Sequence, residues 1–448
     1  MPQPSRLTQL RGLLALAGPI AVSQVAQNSM GFVDTVMVGR LGETDLAAVS
    51  LGAAVYFGIL VFALGVQVGV GPVVAQAFGA RDARAVGAYG RHGLLVAALL
   101  TPLVLAALYA GRLHVDRLIG DAAVAELAAG YLGAVSWSVL PFLGFVALRS
   151  WVEALNRPLV VTVLSIVTVG VNALGNYVLV YGHWGAPQLG AVGTGYATSI
   201  SNAFLFVSLV AYVLSQRRLR QYDVFAFAKP VKRERLRELL RVGGPIGLSF
   251  GIEVGLFSAT ALLVGRIGAT ELAAHQIAIQ CASMAFMLPL SVALAATIRV
   301  GNLVGAGELA QARACGWLGI AFGTSLMIVS ALGFVAYPDA IIALFLGEID
   351  AAEAPVAEIA TGLLVLAAAF QLVDGLQGTA AGALRGLKDT FAPMLIGLVS
   401  YWIVGLGSGV YLSETYGVRG LWTGLVIGIA AAAVLLVLRW WRRSRRLV

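Results

Sequence analysis

Charge is scarce in this chain. Only 12% of its 448 residues are Asp, Glu, Lys or Arg, about half the share of an ordinary soluble domain. A soluble protein of this length needs far more polar surface to cover its core, so a water-soluble enzyme and a disordered chain are both excluded. Cysteine is scarcer still. Cys281 and Cys315 sit in apolar runs and make no disulfide framework, so they say nothing about redox compartment. Histidine is limited to His92, His114, His183 and His275, scattered without the spacing of a metal site. There is no HExxH and no Gly-x-x-x-x-Gly-Lys, so zinc hydrolysis and direct ATP drive have no support.

Apolar residues are what the chain has: 59% are hydrophobic and 54 more are glycine. This composition describes a polytopic, all-α membrane protein. A helical span needs about 20 apolar residues. Runs of that length are expected at 13–38, 46–77, 90–111, 124–150, 158–181, 189–214, 240–264, 272–300, 314–337, 356–384, 391–412 and 418–440. The first run is too long for a signal-peptide core and lacks a small-residue cleavage site.

The longest polar stretch, Gln216 to Glu238, carries Arg217, Arg218, Arg220, Lys229, Lys232, Arg233, Arg235 and Arg237. It reads as a cytoplasmic linker, 216–238, between a six-helix lobe at 1–215 and a second at 239–448. Placing both termini in the cytoplasm leaves only Arg40, Arg112, Arg117, Arg266 and Arg419 outside, of 30 basic residues, as the positive-inside bias requires. The same bias explains the net charge of +8 without nucleic acid. The Arg-rich tail from Arg439 to Arg446 fits an anchor facing anionic lipid. The expected location is a bacterial-type inner membrane.

The chain repeats itself at an offset of 226 residues. Gly18-Pro19-Ile20 falls on Gly244-Pro245-Ile246, Ser23 on Ser249, and Gly39-Arg40 on Gly265-Arg266. Gly42, Thr44 and Leu46-Ala47-Ala48 fall on Gly268, Thr270 and Leu272-Ala273-Ala274, and Gly79-Ala80 on Gly305-Ala306. Six helices separate the copies, so both halves enter the membrane from the same side as parallel repeats. Two similar bundles on one chain suit alternating access, and a monomer suffices for it.

Ionisable groups at mid-span cost about 2.5–3.5 kcal/mol each, so they are read as functional. Three acids qualify: Asp34, Glu253 and Asp374. On the first span Gln24, Gln27/Asn28, Gly31 and Asp34 recur at three- and four-residue steps and form one polar stripe. Asn172 and Asn176 share a face of the fifth span, and Thr194, Thr198 and Ser201/Asn202 a face of the sixth. If these spans meet, they gather a carboxylate, amides and hydroxyls, a set suited to a hard cation or to a titrating carboxyl group. Amides and hydroxyls also serve as glue between helices, and that alternative stays open for these pairs.

In the second half Glu253 occupies the repeat position of Gln27, and Thr260 that of Asp34. Ser249, Glu253 and Thr260 line one face, and Gln371, Asp374 and Gln377 another. Two carboxylates facing one cavity would share a cation or a proton. Arg385 lies eleven residues beyond Asp374, about 16 Å along a helix, too far for a direct pair. His275, near the end of its span, is expected at the membrane interface, and Arg299 is expected to snorkel. Met30, Met37, Met284, Met287 and Phe286 suit either a drug cavity or plain packing.

The stretch from Gly18-Pro19-Ile20 through Gln27-Asn28-Ser29-Met30-Gly31-Phe32-Val33-Asp34-Thr35-Val36-Met37-Val38-Gly39 resembles the first helix of multidrug and toxic compound extrusion (MATE) transporters of the NorM-type branch. Ala273-Ala274-His275-Gln276-Ile277-Ala278 resembles the family's eighth helix, and Ile298-Arg299-Val300-Gly301-Asn302 to Gly305-Ala306-Gly307 the loop after it. Most specific is Phe370-Gln371-Leu372-Val373-Asp374-Gly375-Leu376-Gln377-Gly378, followed by Gly382-Ala383-Leu384-Arg385-Gly386-Leu387-Lys388-Asp389-Thr390.

The resemblance implies twelve helices in two six-helix lobes forming a V. It implies export of organic, often cationic, amphipathic drugs coupled to inward Na+ or H+, with no cofactor beyond that ion. It implies that Glu253 and Asp374 form a second-lobe cation or proton site, and that Asp34, Asn172, Asn176 and Thr198 form the first-lobe site. Gln27, Met30, Phe286, Met287, Phe370 and Gln371 are expected to face substrate. Some relatives carry tyrosine where this chain has Phe370, so one oxygen ligand of the second site is missing here. A flippase for lipid-linked sugars shares the broad architecture but would want a cationic cavity, and here the mid-membrane charges are acidic. A receptor or scaffold would show no ion-dependent flux.

Overall fold

The computed structural model describes residues 6–117, 119–347 and 353–446. Among them the secondary structure is helical throughout, with no strand. The elements are α1 (Arg6–Gly39), α2 (Glu43–Val68), α3 (Val70–Gly79), α4 (Ala83–His114), α5 (Ala122–Val135), α6 (Val139–Ala154), α7 (Pro158–Leu179), α8 (Gly190–Ser215), α9 (Arg217–Arg220), α10 (Arg233–Ile267), α11 (Ala269–Gly305), α12 (Leu309–Ala336), α13 (Pro338–Leu346), α14 (Ala354–Gly386), α15 (Phe391–Leu398), α16 (Gly407–Tyr416) and α17 (Val418–Arg445). A π-helical segment, Val399–Leu406, joins α15 to α16.

Each of the twelve expected runs corresponds to one helical stretch; most helices overrun their runs, while 158–181, 189–214 and 314–337 pass a helix end by one or two residues. Among the described residues eleven stretches are long and apolar enough to cross a membrane. The twelfth is α1, 34 residues long, whose polar stripe lowers its hydropathy. Two short connections lie inside spans: α2 runs on into α3, and α5 into α6 through a 3-10 turn.

The repeat is visible in the helix boundaries. The stretches Glu43–Gly79 and Ala269–Gly305 are both 37 residues long and start 226 residues apart. They also end in the same way. Arg81 and Gly307 both take positive φ, and the following amide reaches back to an orphan carbonyl, Asp82 N–H to Ala77 O at 3.0 Å and Glu308 N–H to Leu303 O at 2.9 Å. This is the Schellman ending, which satisfies carbonyls that the last helical turn would leave bare.

Contacts group the chain into two compact units, Met1–Ala21 with Leu248–Val448, and Val22–Gly247. The divisions fall two residues past Pro19 and Pro245, the prolines inside α1 and α10, where the ladder of helical hydrogen bonds loses a donor. In the Val22–Gly247 unit α8 packs on α5, α6 and α7, and α2 on α5. The basic linker is strapped to α4 there. Arg91 donates to Asp223 O at 2.9 Å, and the Lys232 amide donates to Nε2 of buried His92 at 3.2 Å.

In the other unit α14 packs against α11, α12 and α17. Its buried cluster includes Leu256, Ala274, Ala278, Leu363, Ala367, Phe370 and Trp422. Here α16 and α17 approach so closely that a Cβ on Gly424 would collide with the backbone of Gly409. Gly424→Val is therefore expected to destabilise by about 2–3 kcal/mol through overpacking, read as a lower melting temperature in detergent.

Candidate functional site

The three mid-span acids fall into two polar clusters, each within one unit. In the first, α1 presents Asp34, α7 presents Asn172 and Asn176, and α8 presents Thr198. The helical steps of three and four bring each set to one face. Asn172 Nδ2 donates to Asp34 Oδ1 at 3.0 Å and Asn176 Nδ2 to the same oxygen at 2.6 Å. Thr198 Oγ1 donates to Asp34 Oδ2 at 3.0 Å. Asp34 is 8% exposed and both asparagines are fully buried. Asn176 Oδ1 and Thr194 Oγ1, also buried, have no hydrogen-bond partner among the described residues. All four first-lobe positions expected from the sequence thus meet at one carboxylate, whose bonded partners are all neutral.

A second polar layer lies two turns earlier on α1. Gln27 Nε2 donates to Ser165 Oγ at 3.1 Å, and Arg149 donates to Gln27 Oε1 at 3.2 Å. Arg149 also donates to Glu153 Oε1 at 2.8 Å. Gln27 and Asp34 are seven residues apart, as are their α7 partners Ser165 and Asn172, so α1 and α7 run parallel in register. Sequence reading missed the Arg149–Glu153 pair because both fall at the end of an expected span. Their i,i+4 spacing was the available signal.

In the other unit Asp374 on α14 is 5% exposed and accepts from Gln377 Nε2 at 3.5 Å. Glu253, half-buried on α10, lies within Coulombic reach of Asp374 and of Arg385. Arg385 stacks its guanidinium over Phe250 at 5.3 Å, one turn before Glu253. It thus lies on the side of α10 that bears Glu253, and among the described residues no bond joins it to Asp374 on its own helix. Tyr401, buried in the π-helical segment, lies within reach of both acids and of Arg385. The wider π turn is a common device at functional sites. Sequence reading missed the parts played by Arg385 and Tyr401. Thr260, at the repeat position of Asp34, is buried and returns its hydroxyl to Leu256 O at 2.9 Å, so the two halves are not chemically equivalent.

The residues expected to face substrate are spread over both units. Gln27 is engaged as above, and Met30 is half-buried on α1. Phe286 lies over Gly378, where an added Cβ would meet its ring at 3.1 Å, and half-buried Met287 follows it on α11. Phe370 is 2% exposed and packs edge-on against Phe257 and Trp422 at 6.2 and 6.1 Å. Gln371 is fully buried, and neither of its amide atoms has a partner among the described residues.

His275 corrects the expectation of an interfacial residue. It is 1% exposed, and Trp422 Nε1 donates to its Nδ1 at 3.1 Å. Its place near the end of an apolar run gave no sign that α17 would cover it. Among the described residues no three His, Cys, Asp or Glu side chains gather as a metal centre.

Comparison with known proteins extends these observations. The MatE family matches residues 19–178 and 245–410, two stretches whose starts repeat the 226-residue offset. The probable multidrug resistance protein NorM of Mesorhizobium japonicum is 40% identical over 98% of this chain and 94% of its own length. The protein of the same name in Deinococcus radiodurans is 41% identical over 99% and 98%. Among solved structures, the eukaryotic MATE transporter AtDTX14 superposes with a TM-score of 0.88 over 99% of this chain and 98% of its own, at 20% identity. The fold is thus shared well beyond the range of close sequence similarity.

Proposed function

The chain belongs to the MatE family, whose members are transporters and not enzymes, and from that premise we propose that it is a multidrug efflux antiporter. It exports organic, often cationic, amphipathic compounds in exchange for inward Na+ or H+ by alternating access, and so contributes to antibiotic resistance. It resides in the inner membrane with both termini in the cytoplasm, in contact with anionic lipid, and works as a monomer. Its repeat halves, 1–215 and 239–448 about the linker 216–238, act as the two lobes.

One observation carries the coupling: Asp34 is a buried carboxylate held by two amides and a hydroxyl, and among the described residues no cationic side chain is bonded to it. A carboxylate in that setting is costly while charged, and an entering proton or cation removes the cost. Glu253 and Asp374 offer a second place for the same exchange. Neutralising the acids from outside deprives a cationic drug of its counter-charge and releases it outward. Once ionised again on the inner side, they favour the next one. One charge moving down 100 mV supplies about 2.3 kcal/mol, more than a tenfold gradient requires. Gln27, Met30, Phe286, Met287, Phe370 and Gln371 are assigned to substrate, with Met and aromatic surfaces accepting varied shapes.

The test is ethidium or fluoroquinolone transport in everted vesicles under separately imposed Na+ and pH gradients. Either gradient, or both, is expected to drive flux. Glu253→Gln and Asp374→Asn are each expected to lower coupled flux about tenfold, since each removes about half of a paired site's interaction with its cation. Flux that ignores both gradients would refute antiport.

A further inference from the structure

We propose that Arg385 is the built-in counter-charge of the Glu253/Asp374 pair and limits that site to one monovalent cation or one proton, with the Tyr401 phenol as an additional neutral oxygen ligand. The inference rests on the coupling reading of the two acids and adds a capacity and a selectivity to it.

Arg385 sits in the last turn of α14, too far along that helix to reach Asp374 directly. Its guanidinium instead lies over the Phe250 ring on α10. Phe250 and Glu253 are three residues apart and share a face of α10, so the arginine is delivered to the acid of the neighbouring helix. Arg385 and Glu253 lie within Coulombic reach of each other, as do Glu253 and Asp374. A guanidinium does not lose its proton in proteins, so this positive charge is permanent. Two carboxylates and one guanidinium leave a single negative charge. One Na+ or one proton neutralises it, whereas a divalent ion or a second monovalent ion would leave excess positive charge in a low-dielectric site.

The neutral ligands fit the same count. Tyr401 brings a phenol oxygen into the cluster from the π-helical segment, on a different helix from Phe370, where some relatives place a tyrosine. Gln371, one turn before Asp374, holds a buried amide whose oxygen and nitrogen are both unbonded among the described residues. That oxygen is a further acceptor which a cation at the pair would satisfy. Neither group adds charge, so Arg385 alone sets the capacity.

The experiment uses the full chain in nanodiscs with Asp34→Asn, which leaves only the second site. Radioactive sodium bound at saturation and protons taken up on acidification are counted per chain, alone and with Arg385→Gln, Arg385→Lys, Tyr401→Phe or the paired change Glu253→Gln/Asp374→Asn. Above the background that the chain's other acids and histidines give in the paired acid variant, the expected result is one charge per chain, by sodium, by protons or by the two in competition. Arg385→Gln is expected to raise the count to two, Arg385→Lys to keep it at one, and Tyr401→Phe to keep it at one while weakening sodium binding about tenfold.

Loss of that one charge of uptake, and of saturable sodium binding, in the paired acid variant identifies the site. If that variant binds as before, the coupling reading of these acids fails. If that charge is lost there yet Arg385→Gln still takes only one charge above the same background, the acids couple and the counter-charge assignment alone is overturned. Should Arg385→Gln not fold, a count of two in the Asp34→Asn background, or a doubled count in Arg385→Lys, overturns it equally.

Discussion

Asp34→Asn is expected to reduce ion-coupled efflux about a hundredfold while leaving the protein folded in the membrane. The magnitude follows from what the carboxylate contributes. A charged side chain at this depth costs about 3 kcal/mol, and whatever neutralises it gains about that much, which is about two decades in an equilibrium. The fold is expected to survive because the shell is built from neutral groups. An asparagine at position 34 can turn its oxygen to Asn172 and Asn176, which donate to Oδ1 of the native acid. Its amide nitrogen can then donate to Thr198, whose hydroxyl is able to accept as well as donate. Shape and hydrogen bonding are kept and only the titratable charge is lost. Drug flux in everted vesicles, normalised to protein quantified by immunoblot, reads the effect. Wild-type flux with unchanged dependence on the imposed gradients would move the principal coupling step to Glu253 and Asp374.

This first cluster was legible in the sequence because every member obeys one helical period within an unbroken α-helical segment. Asp34 with Gln27, Asn172 with Asn176, and Thr194 with Thr198 each mark the inward face of their helix, and three such faces can only be buried against one another. The positions of the spans were legible for a simpler reason, since apolar length alone sets them.

The second cluster was only half visible. Glu253 and Asp374 stand out as acids in apolar runs. On its own helix Arg385 lies too far from Asp374, and its actual neighbour is Phe250, which belongs to α10. Tyr401 was hidden for another reason. A π turn adds a residue to the local repeat, so a count at 3.6 residues per turn loses phase there and cannot tell which face the tyrosine takes. His275 shows the same limit, because the indole of Trp422 that covers it comes from 147 residues away. The pattern along one helix survives inspection of the sequence, and contacts decided by a second helix do not.

The second large effect is on stability, at Glu153. Glu153→Gln is expected to cost about 3–5 kcal/mol, because it leaves the buried guanidinium of Arg149 without its charge partner. Arg149 and Glu153 are 8% and 4% exposed and joined at 2.8 Å, so neither can turn to water without moving α6. The same arginine donates to Gln27, which in turn donates to Ser165 on α7. An uncompensated charge would therefore disturb the layer that keeps α1 in parallel register with α7, two turns from Asp34. Replacing both partners, as Arg149→Met/Glu153→Leu, is expected to recover most of the stability, since buried ion pairs exchange for apolar groups at little net loss. Thermal unfolding in detergent would show a large fall for the single change and a small one for the double. The double variant would still lack the donor to Gln27, so its efflux is expected to fall further than its melting temperature implies. A double variant with full stability and wild-type efflux would mean that the Arg149–Gln27 bond does not help to hold the Asp34 cluster in place.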